Sequence, residues 1–230
     1  MRRLLAVALV GTAVAVMAGG AQAKAPPSGF QLCGPQSCTA ISGFADAEPL
    51  AIELFYGGGG SSPLWSPRVP PAMFFAVRWS FSPGGTHVGY YVPLLNAFRY
   101  VGDPGTATQT ETGLVHWIKL GPNARAILER LTSTMQPFPA PVLARVTVGG
   151  KPVQDPTSYL RLWSVGRPTY TWPNGGFLKI KTTCDQASPW TDTAAELRIA
   201  RRGPFLMRET TVFRISAQLA RLVRARQSLR

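Results

Sequence analysis

The chain has 230 residues, 45% of them hydrophobic and 15% charged, with 24 Lys+Arg against 11 Asp+Glu and a formal net charge of +13. That balance excludes an intrinsically disordered chain, and the length is enough to bury a substantial core. The positive charge favours anionic partners but carries no information about fold.

Arg2 and Arg3 precede an apolar run from Leu4 to Ala18, and Ala21-Gln22-Ala23 forms a small-x-small processing site just before Lys24. Residues 1–23 are therefore expected to be a cleaved signal peptide, which makes the product secreted or otherwise extracytoplasmic. The competing reading, an uncleaved anchor, needs about 20 apolar residues, more than this run supplies before Gly19-Gly20. No later stretch is long enough to cross a membrane as a helix, so no transmembrane segment is expected after signal removal. Residues 24–230 hold 22 Lys+Arg against 11 Asp+Glu, a net +11, and 17 of the 22 are Arg.

Residues 24–29 read as a Pro-rich leader, and 30–230 as a single β-rich domain. Cys33 and Cys38 enclose Gly-Pro-Gln-Ser between two short alternating runs, Phe30-Gln31-Leu32 and Thr39-Ala40-Ile41. That arrangement sets the two thiols opposite each other across a hairpin, within bridging reach in an oxidising compartment. A bond from either to Cys184 is the alternative; with Cys33–Cys38 formed, Cys184 is a buried thiol beside Leu178 and Ile180. Residues 51–55 read as a strand. The Gly- and Pro-rich segment 57–71 reads as a loop, and no Gly-Lys-Ser/Thr follows its four glycines, so it is no phosphate cradle.

Strict alternation over 72–81 marks a strand, with Met73, Phe75, Val77, Trp79 and Phe81 on one face. After Pro83-Gly84-Gly85, residues 87–92 return as its partner, with His87 at an exposed strand end; 97–101 and 114–120 follow as strands. Gly121-Pro122 opens a helix that buries Ala124, Ile127, Leu128, Leu131 and Met135 and stops at Pro137. The Pro-rich connector 137–141 is a possible subdomain boundary. Beyond it, strands are expected at 142–148, 158–164, 169–172, 177–183, 195–200, 205–208 and 212–215. Pro173-Asn174-Gly175-Gly176 reads as a hairpin turn. Residues 216–230 read as a helix with Ser216 as N-cap and Leu219, Leu222 and Val223 inward. The pattern is α+β, predominantly antiparallel β with one internal helix and a C-terminal helix.

Catalytic chemistry finds little support. There are two His, His87 and His116, no Gly-x-Ser-x-Gly elbow and no His-Glu-x-x-His. No catalytic residue, metal site or cofactor is assigned. The stronger lead is the C-terminal third, where 196–230 holds nine Arg against two Glu. Arg198, Arg201 and Arg202 cluster before Gly203-Pro204. Arg208 and Arg214 alternate with Met207, Phe213 and Ile215 and are expected to leave the core. Guanidinium forks at these five positions are candidate anion-binding groups. The aromatics fall mostly on core faces, which disfavours a specific nucleic-acid reader. The expected function is that of a secreted, non-catalytic structural or binding protein whose Arg-rich face meets an anionic envelope polymer or lipid surface. The alternative is a secreted hydrolase, acting on glycans, with Asp185, Asp192 or His87 in its site and Trp190 as a sugar-stacking ring.

Overall fold

A computed structural model describes residues 27–55, 62–64, 70–80, 86–101, 115–184, 187–190, 197–209 and 211–225. The expected signal peptide 1–23, the four-glycine segment, the turn at 83–85, Asp185, Asp192 and the tail after 225 lie outside them. The fold is mixed α+β with β predominating, built on two seven-stranded antiparallel sheets.

The first sheet holds β1 (Ser28–Cys33), β2 (Cys38–Ala40), β3 (Ser62–Leu64), β4 (Phe75–Ser80), β5 (Thr86–Val92), β6 (Ala97–Val101) and β7 (Val115–Lys119), ordered β2-β1-β4-β5-β6-β7-β3. Its alternation sorts side chains into two buried layers. Phe75, Tyr91 and Phe98 are cross-strand neighbours on one face, where they pack with Leu32, Val77 and Trp79 against two helices. These are α1 (Phe44–Phe55) and α2 (Pro122–Thr132). On the other face Cys33, Ala76, Tyr90, Arg99 and Trp117 form one continuous row. That row faces the second sheet.

The second sheet holds β8 (Leu143–Val148), β9 (Lys151–Pro152), β10 (Arg167–Pro168), β11 (Phe177–Cys184), β12 (Leu197–Ala200), β13 (Phe205–Arg208) and β14 (Thr211–Arg214), ordered β10-β14-β13-β12-β11-β8-β9. Val146, Val148, Ile180, Leu197, Ile199 and Leu206 share one core with Ala76, Tyr90 and Trp117 of the first sheet. A 3-10 helix, Thr157–Trp163, and α3 (Ala217–Ala225) add Tyr159, Leu162, Trp163, Leu219, Ala220 and Val223 to that core. Along the chain the connector 137–141 separates the sheets. Phe138 stitches it to the head of β4: it exchanges backbone hydrogen bonds with Phe74 (3.2 and 2.8 Å), and the two rings stack 5.1 Å apart.

Several local expectations hold. Cys33 and Cys38 are bonded (S–S 2.05 Å) as a directly opposed pair on β1 and β2; Cys184, expected to be buried, is only half-buried outside that bond. Gly121 is the N-cap of α2, with Pro122 in its first turn. Ser216 Oγ accepts the Leu219 N–H (3.1 Å) at the start of α3.

Others change. Residues 51–55 end α1 and are not a strand. Leu50, Ala51, Leu54 and Phe55 all bury at helical spacing, and that burial outweighs the helix-breaking tendency of Pro49 inside the helix. Residues 158–163 belong to the 3-10 helix, with Ser164 as its C-cap, and the helix is opened by the Asp155 carboxylate accepting from Thr157 Oγ1 (2.6 Å). Residues 169–172 form no strand; only Arg167–Pro168 pairs, with β14. Gly175 and Gly176 do take positive φ (93° and 73°), yet β11 pairs with β12 and β8 instead of folding back on 169–172. Residues 62–64, read as loop, pair with β7. Leu222, expected inward on the C-terminal helix, is 48% exposed, and Ala220 fills the inner position.

Candidate functional site: a basic outer face with two exposed aromatic rings

The outer side of the second sheet follows from the same alternation that fills its core. Lys179, Arg198 and Met207 form one row across β11, β12 and β13. In the next row Phe205, Arg214 and Arg167 lie side by side on β13, β14 and β10. Lys181 opposes Thr147, and Thr183 opposes Arg145. Six cations thus share this face, of which Arg145, Arg167, Lys179, Lys181 and Arg214 are exposed and Arg198 is half-buried. No Asp or Glu occurs in any strand of this sheet.

Charge is distributed unevenly along the chain. Residues 143–230 hold 15 Lys+Arg against 5 Asp+Glu, a net +10, whereas residues 24–142 hold 7 against 6, a net +1. On the first half, two surface arginines meet carboxylates directly: Arg125 with Glu129 on α2, and Arg130 of α2 with Asp46 of α1. The excess therefore belongs to the second sheet and its attachments.

At one end of this sheet two turns meet. Arg201 and Arg202, both exposed, lie in the turn between β12 and β13. The Arg201 N–H donates to the Gly176 carbonyl (3.0 Å), and a Cβ on Gly175 would sit 3.7 Å from Arg202 Cδ. The β12–β13 turn is held from behind, because Arg224 of α3 donates to the carbonyls of Ala200 (3.0 Å) and Gly203 (2.7 Å). Just upstream of Gly175, Tyr170 is 92% and Trp172 60% exposed. Their segment is anchored at both ends: Thr169 N–H donates to Val212 of β14 (2.9 Å), and Trp172 meets Phe177 of β11 edge to face at 5.9 Å.

Of the five arginines singled out from sequence, Arg198, Arg201, Arg202 and Arg214 lie on this face or its terminal turn. Arg208 does not. Leu197, Arg208 and Thr211 are cross-strand neighbours on the inner face, and Arg208 is completely buried. Its guanidinium donates to the carbonyls of Leu162 (3.1 Å) and Trp163 (2.6 Å), and it lies 3.6 Å over the Phe213 ring. Both bonds come from Nη1, which is thereby committed to the C-terminal end of the 3-10 helix. Sequence reasoning missed Arg145, Arg167, Lys179 and Lys181, and the exposed rings of Tyr170 and Trp172. The one legible clue was the alternation of Lys179 and Lys181 around Ile180.

Of the residues of the hydrolytic alternative, Asp185 and Asp192 lie outside the described residues, and His87 and Trp190 are placed. Trp190 is buried against Trp117, with centroids 6.1 Å apart, so its ring is a core plug. His87 is buried on β5 and stacks on Trp79 at 5.6 Å, a correction to the exposed strand end expected for it. Burial lowers its pKa from the ordinary histidine value. The unfolded chain therefore takes up a proton at a higher pH than the folded one, and stability falls as pH drops below about 6.5, the unfolded value. Urea midpoints at pH 7 and pH 5 are expected to show this loss, and His87→Gln is expected to shrink the difference; an equal difference in the variant would assign it to another group. Among the described residues no cluster of three or more His, Cys, Asp or Glu is placed to hold a metal, and no helix is long and apolar enough to cross a membrane.

No protein family, no curated protein and no solved structure matches this chain.

Proposed function

We propose that this protein is exported and acts without catalysis, as a structural or binding component that engages an anionic envelope polymer or surface through the outer face of the second sheet and the Arg201/Arg202 turn. The observation that carries the reading is the confinement of the charge excess to residues 143–230, net +10, around a sheet whose strands contain no carboxylate. Guanidinium and ammonium groups held in rows on a rigid sheet suit a repeating anion, because each fixed cation meets a charge without first being ordered. The Cys33–Cys38 disulfide supports an oxidising compartment, in agreement with the signal-like residues 1–23.

Binding of the purified mature chain to isolated envelope material, measured at low and high salt, tests the reading. Attachment is expected at low ionic strength and release as salt screens the contact. Each basic residue near an anionic surface contributes roughly 1 kcal/mol, so Arg201→Ala/Arg202→Ala is expected to weaken binding by about tenfold or more. Absence of binding at low salt, or binding indifferent to salt, would overturn it.

A further inference from the structure

Resting on that reading, we infer that the polymer is an acidic polysaccharide, whose pyranose rings stack on Tyr170 and Trp172 while its carboxylates are held by Arg201 and Arg202. Charge alone accounts for none of the features of the 170–177 segment. Isolated exposed aromatics are ordinary on protein surfaces. Here two rings, 92% and 60% exposed, stand two residues apart on a segment pinned to β14 at one end and to β11 at the other. Trp172 is steadied from the side by Phe177, an edge-to-face contact at an interplanar angle of 62°.

The turn joining Trp172 to Phe177 carries the two positive-φ glycines and lies against the arginine turn through Gly176 and Gly175. The segment that carries the rings and the turn that carries the guanidinium groups are therefore joined through Gly175 and Gly176. This combination suits a uronic acid better than a bare anion. The axial C–H groups of a pyranose are weakly positive and meet the electron-rich face of indole or phenol, while the carboxylate on the same ring fits the planar fork of an arginine. A chain of such sugars continues past the turn onto the cations of the sheet face, Arg198, Lys179, Lys181 and Arg214. Single-stranded nucleic acid also combines rings with charge, but it engages series of aromatics along a groove, and this site offers two.

The test compares polygalacturonate, polyphosphate matched in charge, and oligothymidylate, each titrated into the purified mature chain at low salt. The Tyr170→Ala/Trp172→Ala variant runs alongside, its folding checked by thermal unfolding, where a cooperative transition with only the small loss due to the Trp172–Phe177 contact is expected. Polygalacturonate is expected to bind the parent chain about tenfold more tightly than polyphosphate, and the variant to lose that margin while polyphosphate binding stays the same. If the variant binds polygalacturonate as well as the parent does, the rings play no part and the inference fails, although the anion-binding reading survives. Failure of both polyanions to bind the parent chain overturns that reading as well. Tighter binding of oligothymidylate than of polygalacturonate, lost in the variant, would replace the polysaccharide with a nucleic acid.

Discussion

Glu209→Ala is expected to lower the unfolding free energy by about 3–5 kcal/mol, the scale on which breaking one side of a buried ion pair destabilises a protein. Glu209 Oε1 lies 3.2 Å from Arg99 Nε, with side-chain exposures of 4% and 0%. Arg99 stands in the row of first-sheet residues that faces the second sheet, between Tyr90 and Trp117. Glu209 follows β13, so the pair joins the two sheets across their shared core. Alanine at 209 removes this carboxylate from beside a guanidinium that is sealed from water.

The backbone adds a second signature. Glu209 has φ 54°, a left-handed conformation that costs a residue with a Cβ about 1–2 kcal/mol. Alanine keeps that strain and glycine relieves it, so Glu209→Gly is expected to be milder than Glu209→Ala. In a double-mutant cycle by urea denaturation, Arg99→Met combined with Glu209→Ala should cost less than the sum of the single changes, since each single change already breaks the contact they share. Strictly additive single changes would mean that the two groups do not depend on each other.

How much of this was legible from sequence depended on how far apart the deciding residues lie. The Cys33–Cys38 hairpin, the start of α2 at Gly121-Pro122 and the cap at Ser216 are set by neighbours within a few positions, and each appears where local chemistry puts it. The helix α1 was hidden because Pro49 interrupts its pattern; burial of Leu50 and Leu54 against Trp79 and its neighbours, which are distant in sequence, decides it. In β13 the alternation itself was legible and its direction was not. Phe205 and Met207 do share a face opposite Leu206 and Arg208, but the apolar pair is the outer one. What turns Arg208 inward is the pair of Leu162 and Trp163 carbonyls some 45 residues upstream.

The candidate site divides in the same way. The Arg201/Arg202 turn was legible because Gly203-Pro204 stops β12 locally. The cation rows were not, because Lys179 meets Arg198, and Arg167 meets Arg214, only through strand pairing.

Arg208 separates the forces that hold the fold from the charges that would serve binding. Arg208→Met removes two charge-assisted hydrogen bonds and a guanidinium stacked on Phe213, and strands the carbonyls of Leu162 and Trp163 inside the core. The expected loss is about 3 kcal/mol, which for a chain of this size lowers Tm by roughly 6–12 °C. Arg208→Lys should restore only part of it, because an ammonium can replace the Nη1 donor to the carbonyls but cannot lie flat on the Phe213 ring as the planar guanidinium does. At temperatures where the variant is folded, its affinity for an anionic polymer should equal the parent's, since the lost charge never reached the surface. The Arg201→Ala/Arg202→Ala protein should behave in the opposite way, with an unchanged Tm and weakened binding. Thermal unfolding and polymer titration on the parent and these three variants check both halves. Loss of polymer binding in Arg208→Met at an unaltered Tm would mean that this arginine reaches the ligand, and the division between buried and binding charge would fall.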